Sequence, residues 1–315
     1  MSALKAKTTP LTEIFSDLFT QKQVRVWIKH DYMRHTEVQG NKWHKLKLNL
    51  EHAQNRGFSS ILTFGGAFSN HIAATSAATK ALNLNAVGII RGDELRDNPD
   101  KWSHTLKQAQ KDGMQFEFAS RQNYRNRNKL EYLDALQQKY PNSYIIPEGG
   151  SNSLAVEGFK PLMQEINQQL PNWDYLFTAV GTGGTLAGIT SYAYENTNNN
   201  ELNCKTVVGI PVLKQGEYLI PDIKNWIENE KSNFGKLANW KLLTNYHHGG
   251  YAKQSDALTA FQNEFKTLFQ TPIDPIYTSK AFYAFFDQLK SDQLPQGSNI
   301  ILYHSGGLQG ITTNK

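Results

Sequence analysis

Short apolar runs rich in β-branched and aromatic residues recur along the chain, and each is typical of a β-strand. These runs are Val24–Ile28, Ile61–Phe64, Ala86–Ile90, Phe116–Ala119, Tyr144–Ile146, Tyr175–Val180, Val207–Val212 and Asn299–Tyr303. Between several of them apolar residues recur at helical spacing, in Leu46–Asn55, His71–Leu82, Lys129–Lys139, Leu186–Glu195 and Ser279–Leu289. Alternation of strands and helices is typical of parallel sheets covered by helices. The pattern therefore predicts an α/β fold.

Two segments between these elements carry few apolar residues. Arg121–Lys129 is polar and basic, and Asn196–Asn203 is rich in asparagine. Polar stretches of this length between periodic segments are typical of surface connections. We therefore expect two surface connections and no disordered linker.

Glycine clusters follow four of the predicted strands. They are Gly65–Gly66, Gly149–Gly150, Gly181 to Gly184, and Gly306–Gly307, and small polar residues flank each of them. Ligands of parallel sheets bind where strand ends give way to loops. We therefore expect these loops to converge on one anionic ligand.

The composition is that of a globular protein and excludes disorder. Hydrophobic residues make up 39% and charged residues 19% of the 315 residues, a length that suits two lobes or one large α/β unit. Lys plus Arg number 33 against 28 Asp plus Glu, a net charge of +5, and these charges are dispersed. Nucleic-acid binders usually concentrate basic charge. We expect no nucleic-acid partner, although an anionic substrate or cofactor is compatible with this charge.

The cysteine count and the N-terminal residues bear on location. Cys204 is the only cysteine, so neither an intramolecular disulfide nor a cysteine-based zinc site can form, and we expect no metal. Met1–Leu18 lacks the continuous apolar stretch of a signal peptide, and no window approaches the ~20 apolar residues of a membrane span. The sequence therefore predicts a cytoplasmic protein that makes no membrane contact.

The strongest single motif is Gly181-Thr182-Gly183-Gly184-Thr185, between a predicted strand and a predicted helix. Its glycines let backbone N–H groups point inward, its threonines add hydroxyl donors, and a helix N-terminus carries partial positive charge. A phosphate group fits such a loop. No Gly-Lys-Ser/Thr follows and Leu186 replaces the third glycine of the dinucleotide pattern, so the loop matches neither of those motifs. An ordinary tight turn is the alternative.

Lysines follow Gly40-Asn41 at the start of another predicted helix. Lys42 and Lys45 lie three residues apart and therefore share a helix face. One of them can bond covalently to a ligand while the other balances phosphate charge. The Gly-Asn pair fits a helix cap and a close ligand approach. A solvated lysine face is the alternative.

The segment Gly65–His71 leads from a predicted strand into a helix. Ser69 or Asn70 is suited to capping that helix. Together with His71, these side chains offer donors for a carboxylate. Each of them alone is also compatible with a structural role, as an ordinary cap or a packed histidine.

Taken in order, these motifs resemble the fold-type-II pyridoxal-phosphate enzymes, in particular the branch containing D-cysteine desulfhydrase and 1-aminocyclopropane-1-carboxylate deaminase. The resemblance covers nearly the whole chain and rests on Thr9-Pro10-Leu11, Gly40–Lys42, Ser69–His71, Pro147–Asn152, Gly181–Thr185, Asp274–Tyr277 and His304–Gly307. It implies a pyridoxal 5'-phosphate cofactor, a small amino-acid substrate, a homodimer and a tryptophan synthase β-like fold of two domains. We expect a large cofactor-binding domain of residues 1–42 and 153–315, a smaller inserted α/β domain of residues 43–152, and the cofactor in the cleft between them.

The resemblance also implies roles around the cofactor. Lys42 would be the Schiff-base lysine and a catalytic base, and the loop Gly181–Thr185 would hold the cofactor phosphate with Lys45 nearby. Asn70 would meet the pyridine 3-oxygen, and Ser305 would face the pyridine nitrogen. A hydroxyl there does not force that nitrogen to be protonated, which favours controlled elimination.

Roles toward the substrate follow in the same way. Ser69, Asn70 and His71 would receive the substrate carboxylate. Tyr277 would face the reacting atoms as a catalytic residue. Tyr251 is a candidate for a second substrate-facing hydroxyl, with an aromatic core role as the alternative.

Thr278 bears on the choice of substrate, because deaminase-type enzymes of the family carry a glutamate at this position. A carboxylate there would support a protonated pyridine, so its absence favours D-cysteine desulfhydrase-like elimination to pyruvate, ammonia and sulfide. Deamination of 1-aminocyclopropane-1-carboxylate is the alternative. A non-catalytic binding protein is disfavoured by the intact Lys42 and Gly181–Thr185 motifs, and a nucleotide-binding oxidoreductase by the broken dinucleotide pattern.

Overall fold

The computed structural model describes residues 4–195, 204–230 and 237–308, so the asparagine-rich segment 196–203 lies outside the described residues. Its strands are β1 (Leu11–Ile14), β2 (Arg25–Lys29), β3 (Ser60–Gly65), β4 (Asn85–Arg91), β5 (Gln115–Ala119), β6 (Ser143–Ile146), β7 (Tyr175–Val180), β8 (Thr206–Pro211), β9 (Asn239–Leu242) and β10 (Asn299–Tyr303). Its helices are α1 (Asp17–Gln21), α2 (Asn41–Asn55), α3 (Asn70–Ala81), α4 (His104–Lys111), α5 (Arg121–Tyr124), α6 (Leu130–Lys139), α7 (Ser153–Glu157), α8 (Lys160–Gln169), α9 (Gly184–Ser191), α10 (Ile220–Asn229), α11 (Asp256–Phe269) and α12 (Thr278–Lys290).

The described strands form two sheets, as expected for an α/β fold. The six-stranded sheet has the order β1-β2-β10-β7-β8-β9 and is parallel except for the antiparallel pair β1–β2. The four-stranded sheet has the order β5-β4-β3-β6 and is parallel throughout. All strands of the smaller sheet come from one continuous stretch between β2 and β7. The predicted boundary between residues 42 and 43 falls inside α2, and the division into two domains stays a prediction.

Alternate side chains of the central strands fill two cores, one on each face of the six-stranded sheet. Leu176 and Val207 belong to the core packed by α8 and α9, whereas Phe177 and Val208 belong to the core packed by α11 and α12. Successive side chains of a strand point to opposite faces, so strands buried on both faces are apolar throughout. Burial on both faces explains why the sequence shows them as continuous apolar runs.

The predicted strands and helices are present, and the differences lie at the periphery. The edge strands β1 and β9 were missed because polar residues alternate with apolar ones in both, Leu-Thr-Glu-Ile and Asn-Trp-Lys-Leu. Residues 121–129 are not wholly irregular, because Arg121–Tyr124 forms the short helix α5 and buries the side chain of Tyr124. None of the described helices is long and apolar enough to cross a membrane.

Candidate active site

The four glycine clusters line one cleft with a volume of about 220 Å³. Gly66 follows β3, Gly149 follows β6, Gly181 follows β7 and Gly306 follows β10, so both sheets contribute strand ends to the cleft. Twelve of the predicted site residues line it, namely Lys42, Lys45, Ser69, Asn70, His71, Gly181, Thr182, Gly183, Thr185, Tyr251, Tyr277 and Ser305. Gly184 lies just behind, where an added Cβ would meet Ser151 Oγ at 2.6 Å.

The chain enters α2 through a close contact that only glycine permits. Gly40 has a φ of +49°, and a Cβ there would lie 2.1 Å from the carbonyl oxygen of Ser305. Asn41 N–H donates to that oxygen at 3.1 Å. The Asn41 side chain does not cap the helix: its Nδ2 donates to Thr185 Oγ1 at 3.0 Å, and its Oδ1 accepts from Lys42 Nζ at 3.1 Å. Asn41 therefore links Lys42 to the glycine-rich loop.

Lys42 has a weakened preference for the charged state. Its side chain stays partly accessible through the cleft, but protein surrounds the amine, and this desolvation lowers its pKa to about 8, with the charge of Asp274 opposing the shift. A lysine with such a pKa is partly neutral near neutral pH. A neutral amine can attack a carbonyl carbon or accept a proton.

Lys45 lies on the same face of α2 and is buried. Its Nζ donates to Ser151 Oγ at 2.8 Å and to the Gly149 carbonyl at 3.0 Å. Burial lowers the pKa of Lys45 well below its usual value, and the charge of Lys42 lowers it further. Within 4–195, 204–230 and 237–308, neither lysine forms an ion pair with an acidic side chain. Two neighbouring desolvated amines without a paired carboxylate make a site for an anion.

The loop Gly181–Thr185 supplies neutral donors beside these lysines. Thr182 Oγ1 lies 2.6 Å from Ser151 Oγ, and Thr185 stands in the first turn of α9. Gly183 has a φ of +91°, and a Cβ there would meet Ile223 Cγ1 at 2.6 Å. Glycine is therefore required for the turn into α9, where free backbone N–H groups and the helix dipole favour a phosphate.

His71 sits at the start of α3 in a defined hydrogen-bond arrangement. The Thr63 hydroxyl donates to the Ile146 carbonyl at 2.8 Å, so it accepts from His71 Nε2 at 2.8 Å. His71 Nδ1 is then a bare acceptor, buried and without a partner among the described residues. Burial lowers the pKa of His71 well below its usual value, and the lysine charges add to this. A neutral His71 in this tautomer has no donor to offer a carboxylate.

Tyr277 and Tyr251 face each other across the cleft. Their hydroxyl oxygens lie 3.3 Å apart, and their rings meet edge to face with centroids 6.1 Å apart. Burial raises the pKa of Tyr251 and raises that of Tyr277 well above its usual value. Both hydroxyls therefore keep their protons at neutral pH and can donate.

Two residues that hold these tyrosines were not identified from the sequence. Asp274 accepts from the backbone N–H of Tyr277 at 2.7 Å and from that of Thr278 at 2.8 Å. Lys280 is fully buried and donates from Nζ to the Gly250 carbonyl at 2.8 Å. The Asp274-Pro275 pair before a helix could have pointed to Asp274. Nothing in the sequence pointed to Lys280, which is an isolated lysine on an apolar helix.

Arg91, Arg127, Glu148 and Tyr218 also line the cleft and were not predicted. They stand on separate elements, so no local motif joins them. Across the described residues, no group of three or more His, Cys, Asp or Glu side chains is arranged to hold a metal ion.

A lysine beside a glycine-rich helix start, at the strand ends of two mainly parallel sheets, is the arrangement of a fold-type-II pyridoxal-phosphate enzyme. The donors present fit the cofactor. Two amines that form no ion pair with the described residues, together with a glycine-rich helix start, match one aldehyde and one phosphate. The chain belongs to the family described as "Pyridoxal-phosphate dependent enzyme", whose model matches residues 4–306.

Curated relatives narrow the class. The chain is 30% identical over 299 residues to a Pyrococcus abyssi protein named "Putative 1-aminocyclopropane-1-carboxylate deaminase", covering 91% of this chain and 86% of that protein. It is 27% identical over 301 residues to the bifunctional D-cysteine desulfhydrase/1-aminocyclopropane-1-carboxylate deaminase of Arabidopsis thaliana, covering 91% and 73%. The chain is therefore a pyridoxal-phosphate-dependent lyase or deaminase.

Solved structures agree with this class. The crystal structure of an ACC deaminase homologue superposes with a TM-score of 0.79 at 26% identity, covering 98% of this chain and 91% of that one. A hydrogen sulfide-producing enzyme from Fusobacterium nucleatum, with a TM-score of 0.67 at 14% identity and 99% of each chain covered, shares the fold. Enzymes of this class act on small amino acids.

Proposed function

We propose that this enzyme eliminates the β-substituent of a small amino acid, with D-cysteine as the model substrate and pyruvate, ammonia and sulfide as products. The proposal is based mainly on the position of Lys42, whose pKa is lowered by burial. Lys42 lies in the same cleft as the paired hydroxyls of Tyr277 and Tyr251. This arrangement offers a base and two proton donors to one small ligand. Deamination of 1-aminocyclopropane-1-carboxylate, the activity named for several relatives, is the second candidate.

The cofactor would be held in the cleft by residues of both sheets. Lys42 would bond to it, the loop Gly181–Thr185 and Lys45 would hold its phosphate, and Asn70 and Ser305 would face its ring. When bound, pyridoxal phosphate supplies an electron sink that stabilises negative charge at the carbon bearing the amino group.

Residues of this chain would carry the proton transfers. Lys42 Nζ, once released, would take the α-proton, and the sulfur would leave with the electron pair of its bond to the β-carbon. Tyr277 or Tyr251 would donate a proton to the departing thiolate. Addition of one water to the remaining three-carbon unit then gives pyruvate and ammonia.

The substrate carboxylate would be received by Ser69 and Asn70. His71 is a further possible donor at this helix start, but its Nδ1 carries no proton and its Nε2–H already donates to Thr63. We propose that His71 fixes the loop through Thr63, since its donating nitrogen is already used there. The carboxylate then depends on the hydroxyl of Ser69, the amide of Asn70 and the first N–H groups of α3.

Thr278 supports elimination over ring opening. It occupies the first position of α12, is fully buried, and its hydroxyl has no partner among the described residues. A neutral residue there leaves the pyridine nitrogen without a carboxylate beside it from this position. A cyclopropane substrate has no α-proton, so its ring opening would need attack or proton removal elsewhere, and that demand would fall on residues such as Tyr277.

We also propose the division into a large domain, 1–42 and 153–315, and a small domain, 43–152. It is supported by the separate four-stranded sheet, whose strands all lie between residues 60 and 146. A homodimer and a cytoplasmic location complete the proposal. The single cysteine, Cys204, supports a reducing compartment.

A panel of amino acids tests the proposed reaction. The holoenzyme is incubated with D- and L-cysteine, D-serine, cysteate and 1-aminocyclopropane-1-carboxylate, and keto-acid release is measured. We expect the highest kcat/KM for D-cysteine, with sulfide and pyruvate released in equal amounts. Highest activity on the cyclopropane substrate, with 2-oxobutanoate as product, would reassign the enzyme to the second candidate.

A further inference from the structure

Arg91 brings a positive charge to the cleft from the end of β4. Its guanidinium lies 3.6 Å from the point that a Gly66 side chain would occupy, directly before the Ser69–His71 segment. It also lies over the ring of Tyr124, 6.0 Å from the ring centroid. The charge of Arg91 is close enough to Tyr251 to act on the pKa of its hydroxyl, which it lowers against the larger effect of burial. Arg91 therefore stands near both the carboxylate-binding loop and the tyrosine pair.

The neighbouring charges are already matched to one another. Arg127 Nε lies 2.7 Å from Glu148 Oε2, and Tyr124 donates its hydroxyl to Glu148 Oε1 at 2.7 Å. Both carboxylate oxygens of Glu148 are thus engaged by Arg127 and Tyr124. Glu148 has little capacity left to neutralise a second guanidinium.

Arg91 is left without such a partner. In the three described stretches of the chain its side chain forms neither an ion pair nor a hydrogen bond. The cofactor phosphate does not account for it, because that anion is matched by Lys45 and the Gly181–Thr185 loop. One solvent-exposed guanidinium without an ion-pair partner among the described residues therefore lines the cleft beside Gly66, just before the Ser69–His71 segment.

We propose that Arg91 binds an anionic group on the side chain of the substrate, such as a carboxylate or a sulfonate. This inference rests on the proposed function, because it concerns the substrate of the same site. The α-carboxylate goes to Ser69 and Asn70, and the second anion goes to the planar fork of Arg91, which suits oxyanions in a bidentate geometry. The site then binds a small amino acid with a negatively charged side chain more tightly than a neutral one of the same shape.

A comparison of aspartate with asparagine as ligands tests the effect of a negative side-chain charge at nearly constant shape. They have nearly equal volume and no β leaving group, so they report binding in the intact holoenzyme without elimination. By calorimetry, with both configurations of each, we expect aspartate to bind about tenfold more tightly than asparagine, the effect of one charge-assisted contact. The preference should shrink as salt is added. Equal affinities in the wild type would overturn the proposal.

Variants locate the preference. Arg91→Gln should abolish the tenfold difference with little effect on asparagine, and Arg91→Lys should retain part of it. Arg125→Gln is the matched control, because it removes one exposed arginine that does not line the cleft. An undiminished aspartate preference in Arg91→Gln would refute the role of Arg91.

The proposed reaction is tested separately on the wild type. Keto-acid release from D-cysteine reports the elimination and does not depend on the aspartate preference. Absence of keto acid together with an Arg91-dependent aspartate preference would overturn the elimination and keep the anion site. Keto-acid release without an Arg91-dependent aspartate preference would overturn the anion site and keep the elimination.

Discussion

The hydroxyl of Tyr277 lies 3.3 Å from that of Tyr251, although 26 residues separate them along the chain. The backbone N–H of Tyr277 donates a hydrogen bond to Asp274, which fixes the position of Tyr277. Tyr251 follows Gly250, whose carbonyl accepts a hydrogen bond from Lys280. Because burial raises the pKa of both hydroxyls, both stay protonated at neutral pH, and we expect the pair to serve as a proton donor.

Removing the Tyr277 hydroxyl should reduce turnover without unfolding the protein. Tyr277→Phe keeps the aromatic volume, so packing is retained while the donor is lost. General acid–base help is typically worth ~10²–10⁴-fold in rate, and we expect kcat to fall within that range. Cofactor affinity and thermal stability should stay near wild type.

The control for this variant is Tyr283→Phe. Tyr283 packs against Phe261 and does not line the cleft, so its hydroxyl should be dispensable for turnover. A loss of stability in Tyr277→Phe with unchanged turnover per folded molecule would make the Tyr277 hydroxyl structural. The donor role would then pass to Tyr251.

Lys42 is predicted to carry the cofactor, and borohydride reduction tests it. Reduction of the wild type should attach the cofactor covalently to the peptide that contains Lys42, and Lys42→Ala should give no covalent adduct. A label on Lys45 would contradict the assignment. The Lys45 amine is already held by Ser151 and Gly149, which explains why we expect it to remain unmodified.

The pH dependence of cofactor uptake follows from the lowered pKa of Lys42. Only the neutral amine attacks the aldehyde, and desolvation places its pKa near 8. Uptake by the apo-protein, followed by stopped-flow absorbance, should rise about tenfold per pH unit below that pKa and level off above it. The Asp274 carboxylate favours the charged amine, so Asp274→Asn should move the midpoint to lower pH. A midpoint near that of a free lysine would show that Lys42 is not desolvated.

The sequence predicted the central strands and the consecutive motifs, for physical reasons. Strands buried on both faces are continuous apolar runs, and the Gly181–Thr185 loop is contiguous, so both are visible along the chain. The edge strands alternate polar and apolar residues and were missed. Arg91 and Lys280 were also missed, because only the folded arrangement brings them to the cleft.

Gly183 is a poor position for testing the phosphate loop by substitution. An aspartate there is intended to bring a negative charge into the Gly181–Thr185 loop. A side chain at Gly183 would instead point at Ile223 and Trp226, and its φ of +91° would be strained. If Gly183→Asp lost cofactor binding, the loss could not be assigned to charge repulsion with the phosphate, because misfolding of the loop would have the same effect.

Thr185→Val is a cleaner test of the phosphate site. It removes the hydroxyl that accepts from Asn41 and lines the cleft, at nearly constant volume. We expect cofactor affinity to fall about tenfold, consistent with one lost hydrogen bond to a charged group. Thr190→Val is the control, because Thr190 lies on the same helix, is buried outside the cleft and has a hydroxyl without a partner in the part of the chain that the structure describes. Equal affinities in the two variants would argue against phosphate at this helix start.

Lys280 is predicted to be a positioning residue that acts through Tyr251. Its buried Nζ joins the carbonyls of Gly250 and Val212, at 2.8 and 3.3 Å, and burial lowers its pKa to about 8. Lys280→Met leaves both carbonyls without this donor, so the loop before Tyr251 should loosen. Unfolding free energy should fall by about 1–3 kcal/mol, measured by urea denaturation.

If Lys280 only supported the fold, Lys280→Met would cause the same loss of stability. A double-mutant cycle that measures kinetics distinguishes this role from positioning of Tyr251. In the wild-type background we expect Lys280→Met to lower kcat/KM about tenfold while cofactor affinity is retained. In a Tyr251→Phe background the same substitution should cost almost nothing further, because the hydroxyl it positions is already absent. Additive losses in the cycle would show that Lys280 supports the fold and does not act through Tyr251.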